Sequence, residues 1–257
     1  MIRRAAVVAC LAVIAGGCGH TIFAPPTGPG VVTDASEAWT AATASCRSAQ
    51  HYSASLRVSG RAASQRIWRL AIETALTPTE IYMGATVAGH PVFVLAGSAK
   101  EATLWLRQEE RAVKAPAGDI IEAILGLAMP PDRFLSLLTG CATRSLGVTA
   151  AASHGGLVEI QTADARVFIE RQGTVWRTRG AEVEGFRVEF LWKTGALPEK
   201  VWIESSPGRE PAAFLDISVI DPTISDPIPA TVFQPTSGAT SAQPMTLDEL
   251  RSWRKKS

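Results

Sequence analysis

The feature that most constrains the fold is a period-two alternation of apolar side chains, repeated along most of the chain. It is clearest at Phe186, Val188, Phe190 and Trp192, which alternate with Arg187, Glu189, Leu191 and Lys193. Successive side chains on a strand point to opposite faces, so such a segment buries one face and wets the other. The same pattern occurs in Leu56-Val58-Gly60, in Trp68-Leu70-Ile72 and in Ile81-Met83-Ala85. Val92 and Val94, Leu104 and Leu106, Val201 and Ile203, and Leu215, Ile217 and Val219 continue it. About ten or eleven strands result, and short joins such as Ala88-Gly89-His90 favour one antiparallel sheet.

Helical spacing interrupts the strands. Asp34 and Glu37, three apart, predict a capping box ahead of an Ala-rich helix ending near Ser48, with Trp39, Ala42 and Cys46 on one side. Asp119 and Glu122 predict a second box, followed by the apolar stripe Ile120, Ile121, Ile124, Leu125 and Leu127. Pro130-Pro131 starts another helix through Phe134, Leu135, Leu137 and Leu138, with Gly140 as its C-terminal cap. Thr246 and Glu249 predict a last box, with Met245 stapled onto Leu250. Between them, Asp221-Pro222, Asp226-Pro227 and Ile228-Pro229 read as an extended edge rather than a central strand, because proline removes ladder donors.

The N-terminus reads as an export signal. Arg3 and Arg4, an apolar run from Ala5 to Ile14 and the small residues Ala15-Gly16-Gly17 before Cys18 resemble a bacterial lipoprotein precursor. The apolar run is far shorter than the ~20 residues of a membrane span. The organisation expected is a signal at 1–17, a lipidated N-terminus and flexible linker at 18–33, and one domain at 34–257. Cys18 would carry a diacylglycerol, anchoring the protein in the cell envelope. Gly19 in place of an inner-membrane retention aspartate favours the outer membrane, facing the periplasm. An exported compartment permits disulfides, so Cys46 and Cys141 are a possible pair, with two buried free thiols as the competing reading.

Composition excludes other classes. Without Arg3 and Arg4 the 25 Lys and Arg fall to 23, against 24 Asp and Glu, which is no footprint for nucleic acid. His20, His51, His90 and His154 have no partner at zinc-site spacing, and no nucleophile elbow, phosphate loop or dinucleotide fingerprint occurs. Glu109-Glu110 lies between Arg107 and Arg111 and reads as a solvated turn. A non-enzyme without cofactor or metal is expected.

The segment Glu80–Cys141, with TVAGHPVFVLAG, ATLWLRQEERAVKAP, DIIEAILGLAM and PPDRFLSLLTG, resembles the lipoprotein-carrier superfamily of LolA and LolB. Pro130-Pro131 and Leu138-Thr139-Gly140 are most similar to the outer-membrane receptor branch. The resemblance implies an α+β fold: a single curved, unclosed antiparallel half-barrel whose concave apolar face is covered by helices over an acyl-chain cavity. Its candidate lining is Leu56, Val58, Trp68, Leu70, Ile72, Met83, Val92, Val94, Leu104, Leu106, Phe186, Val188, Phe190 and Trp192. It also implies a membrane-delivery loop, with Val87 in the exposed position. Expected partners are lipid acyl chains or lipoproteins, the membrane, and a periplasmic carrier protein. The alternative is a structural, assembly or lipid-sensing envelope lipoprotein whose cavity is plugged, since alternating apolar residues are also what an ordinary core requires.

Overall fold

An apolar sheet face needs a cover, and the chain path supplies one. The computed structural model describes residues 20, 22–62, 65–183, 185–206, 208, 212–224 and 226–254. Cys18 and the signal lie outside the described residues. The first meander comprises β2 (Tyr52–Ala62), β3 (Gln65–Leu76), β4 (Glu80–Val87), β5 (His90–Ser98), β6 (Ala102–Leu106) and β7 (Arg111–Ala115). The second comprises β8 (Ala150–His154), β9 (Leu157–Gln161), β10 (Ala165–Gln172), β11 (Val175–Val183), β12 (Phe186–Leu191), β13 (Lys200–Ser205) and β14 (Ala213–Thr223). β14 pairs with β2, so the two meanders fuse into one α+β sheet, curved and unclosed.

Chain order places β7 and β8 toward opposite edges of that sheet. The connection between them must cross it, and it does so as α3 (Ala117–Leu125) and α4 (Pro131–Leu138), whose buried side chains join the sheet's core. The two terminal segments then cap the edges. β1 (Val31–Val32) pairs with β8 before the chain turns into α1 (Ser36–Ala42) and α2 (Ala44–Ser48). At the other edge, a 3-10 turn at Ala230–Phe233 and α5 (Ser237–Ser241) lie against β4 to β7. β15 (Gln243–Pro244) then pairs parallel with β7, and α6 (Leu247–Arg254) packs on α3. Neither outermost ladder of the meanders is left as a long bare template for aggregation.

The sheet has fifteen strands rather than ten or eleven. β1 and β15 are two-residue pairings that no periodicity announces, and Ala150–His154 has too little apolar contrast to register as a strand. Residues 20–33 are not a free linker: Ile22 is buried and Val31-Val32 extends the sheet. Asp221-Pro222 sits inside β14, which is central. A bulge between Ile220 and Thr223, with Asp221 at φ +49°, removes the proline from the ladder. Nor do the first two capping boxes form. Asp34 accepts bonds from the Ser36 amide (3.0 Å) and hydroxyl (2.7 Å), and α3 starts two residues before Asp119, behind Pro116. The last box is present: the Thr246 amide donates to Glu249 Oε2 at 2.8 Å, and the Glu249 amide to Thr246 Oγ1 at 3.2 Å. Met245 and Leu250 are both buried beside it.

Candidate functional site

The concave face of the first meander carries an apolar cavity of about 150 Å³. Its floor is Leu56, Val58, Leu70, Ile72, Met83, Phe93 and Leu95, continued by Ile203, Leu215 and Ile217 across the β14–β2 seam. Its roof is Ile121, Ala123, Ile124 and Leu125 of α3, Met129, Phe134 of α4 and Leu250 of α6. Every lining residue is apolar, so the site offers no acid, base or nucleophile, and a ligand would be held by exclusion from water. Cavities of this size lined by Leu, Ile and Phe stay dry and accept an apolar molecule about as large as benzene.

Five of the expected lining residues, Leu56, Val58, Leu70, Ile72 and Met83, meet here. Trp68 does not. β3 carries a bulge in which Trp68 and Arg69 together face Ser59, with Arg69 at φ +41°, and the pattern slips by one. Ile67 and Leu70 therefore face the cavity, while Trp68 is 63% exposed under the Arg66 guanidinium, 3.6 Å from its ring centroid. Gly60, beside the bulge at φ +144° and paired with Ile67, has no room for a side chain, since a Cβ there would lie 2.0 Å from the Phe214 carbonyl oxygen. Val92 and Val94 are also misplaced. Val92 is the extra residue of a bulge between Ala85 and Thr86, which puts Phe93 and Leu95 inward opposite Ala85 and Met83. Val94 pairs with Gly84 and Trp105 on the outer face.

The remaining candidates face inward without lining the cavity. Leu104 and Leu106 are buried on β6, paired with Leu95 and Phe93 of β5. Phe186, Val188 and Phe190 of β12, and Trp192 just after it, are buried in the core under the second meander. α1 lies on β11 and β10, with Trp39 buried and its indole N–H bonded to the Leu146 carbonyl at 2.8 Å. The Trp192 indole donates to the Thr178 carbonyl at 2.6 Å, and its ring abuts Gly140, whose φ of +84° suits only glycine there. Cys46 and Cys141 are disulfide-bonded, Cα atoms 6.2 Å apart, tying α2 to the segment after α4. Val87 ends β4 at a two-residue hairpin, where Ala88 (φ +50°) and Gly89 (φ +80°) make a tight turn rather than a projecting loop. It is 43% exposed.

The roof residues were the ones strand periodicity could not offer. Their signal was the amphipathic stripe Ile121-Ile124-Leu125 and the apolar face of the last helix, which mark a surface seeking a partner but not which meander they cover.

No family model matches the chain, and no curated protein matches it. Among solved structures it is similar to a LolA superfamily protein, NE2245, from Nitrosomonas europaea. That similarity is 9% identity over 76% of this chain and 98% of that one, with a TM-score of 0.47. It is similar to a DUF1329 family protein from Desulfovibrio piger at 9% identity over 79% of this chain and 98% of that one, TM-score 0.46. LprF from Mycobacterium bovis aligns at 11% identity over 79% and 100%, TM-score 0.33.

Proposed function

We propose that this chain is a lipid-anchored envelope protein of the LolA/LolB type, tethered through Cys18, that binds acyl chains under its concave face without catalysing any reaction. It would receive lipoproteins or lipids from a periplasmic carrier and pass them to the outer membrane. The observation that carries this reading is the wholly apolar cavity between the first meander and helices α3, α4 and α6. A core that only had to be stable would close it, because each unfilled methyl-sized void costs ~1 kcal/mol. The PPDRFLSLLTG and TVAGHPVFVLAG segments, which resemble that superfamily, supply the roof helix α4 and the hairpin beside the cavity.

A full acyl chain needs more room than a cavity of about 150 Å³ offers, so loading moves the roof. The driving force is the transfer of hydrocarbon from water, about 0.8 kcal/mol per methylene buried. Release needs only a bilayer that offers the same chains an equally dry place. The test is uptake of a fluorescent fatty-acid probe by delipidated protein, with mass spectrometry of any lipid that copurifies. Leu70→Asp, at the half-buried rim, should leave the circular dichroism spectrum unchanged and weaken probe binding by about tenfold or more, equivalent to ~1.4 kcal/mol. A folded wild-type sample that takes up no probe overturns the carrier reading.

A further inference from the structure

The outer face of the second meander holds a built receptor for the chain's own N-terminal segment. Glu189 sits in the middle of β12 on the side away from the core helices, yet its side chain is only 2% exposed. His20 Nε2 and the Phe23 amide both bond its Oε2 at 2.8 Å, and Arg179 Nη2 meets Oε1 at 2.8 Å. The His20 ring stacks on Trp202 with centroids 3.8 Å apart and planes 18° from parallel. Phe23 lies against Phe168 at 5.5 Å and over Gly180, where a Cβ would come within 2.9 Å of its ring. A lone carboxylate on a solvated sheet face needs no such cage. This one is buried by the strap, and charge-assisted bonds from three directions compensate it.

We propose that this clamp fixes which side of the sheet faces the anchoring membrane. The inference rests on the reading of Cys18 as the lipid anchor. Only Gly19 lies between Cys18 and His20, a reach of at most about 7 Å along the chain. His20 lies on Trp202, whereas the next residue of β13, Ile203, points the other way into the cavity. With the strap docked, the outer face of β12 and β13 is held at the lipid headgroups and the cavity is turned away, toward whatever arrives from the periplasm. With it undocked, the residues from Gly19 to Thr33 become a free tether of roughly 50 Å, long enough for the body to turn its cavity to the bilayer.

The experiment uses full-length protein reconstituted into phosphatidylethanolamine and phosphatidylglycerol vesicles containing a headgroup-nitroxide lipid. A fluorophore is placed either on the outer face through Glu204→Cys or on α6 through Ser252→Cys. The wild-type background should show stronger quenching at position 204 than at 252. His20→Ala with Glu189→Gln should abolish that difference, and so should Phe23→Ala, which leaves the Glu189–Arg179 pair in place. Intact mass of the same samples reports acylation at Cys18. Equal or reversed quenching in an acylated sample overturns the clamp and leaves the carrier reading standing. An unacylated sample overturns both the anchor and the orientation drawn from it.

Discussion

The two meanders carry the same inward apolar pattern and differ in what lies over it. Over β10 and β11 lies α1, followed by α2, which the Cys46–Cys141 bridge pins, and Trp39, Trp192 and Phe190 are buried in this half. Over β2 to β5, α3 and α6 span the sheet without filling it, and about 150 Å³ stays empty between Ile72, Met83 and Leu250. Between bulges, strand alternation states which side chains face inward. Whether that interior is solid or hollow is decided by the cover, and the cover is anchored covalently on one side and by a short helix and one edge pairing on the other.

The sharpest way to break this contrast is one truncation in each half. Phe190 is fully buried and touches the Trp192 side of the packed core. Phe190→Ala should cost about 3–5 kcal/mol in urea unfolding, the usual range for a buried aromatic deleted to a cavity. Leu70 is only half-buried and already borders empty space. Leu70→Ala should fall at or below the low end of the ~2–5 kcal/mol seen for buried leucines, because fewer contacts are lost. Equal costs at the two positions would mean that the first meander is as tightly packed as the second.

A smaller effect separates the halves by pH. On the outer face of the second meander, hydrogen bonds from the Arg166 guanidinium, against the opposing cost of burial and with help from Gln161 and His154, lower the Glu159 pKa from 4.5 to about 2. A carboxyl whose folded pKa is depressed stabilises the fold above its unfolded pKa, and that contribution is lost as pH falls from about 4.5 through about 2. Stability should therefore decline across this window, and Glu159→Gln should flatten the decline while lowering stability at neutral pH. The comparison requires probe uptake by the cavity of the first meander, if it occurs, to be indifferent to that substitution. Loss of probe affinity in Glu159→Gln at pH 7 would show the two halves to be coupled.

How much of this was legible depended on bulges and on the cover. Phe186, Val188 and Phe190 face inward as the alternation requires, because β12 runs without a register shift, although they do not line the cavity. Trp68, Val92 and Val94 were not, because an extra residue in β3 and another in β5 each invert the parity that the alternation assumes. No local pattern announces such a bulge: Arg69 at φ +41° is held by its neighbours in the sheet and not by its own preference. The strap was misread for a related reason. GHTIFAPPTGPGVVT is rich in Gly and Pro and reads as linker by composition, yet Ile22 is buried and His20 and Phe23 dock on Trp202, Glu189 and Gly180, which are distant in sequence. The hollow itself had no signature at all, since Met83 in the cavity and Val188 in the core obey the same period.

The smallest expected effect concerns the roof. α6 begins at the reciprocal Thr246–Glu249 box, is tied to β7 by Arg111 through Glu249 (3.0 Å) and the Pro244 carbonyl (3.3 Å), and sends Leu250 into the cavity. An N-cap hydroxyl is worth about 1 kcal/mol, so Thr246→Ala should lower global stability by no more than that. Its local consequence should be larger in proportion, because an eight-residue helix packed on α3 and β7 can open without the sheet. Stopped-flow mixing with the acyl probe should then show faster association with little change in final occupancy, since the substitution raises the population of the raised roof and leaves the floor intact. The same substitution should not alter hydrogen exchange in α1 or α2, whose position the disulfide holds. Unchanged association would place the moving element elsewhere, in α3, whose Ile124 and Leu125 border the same cavity from a helix joined to the chain at both ends.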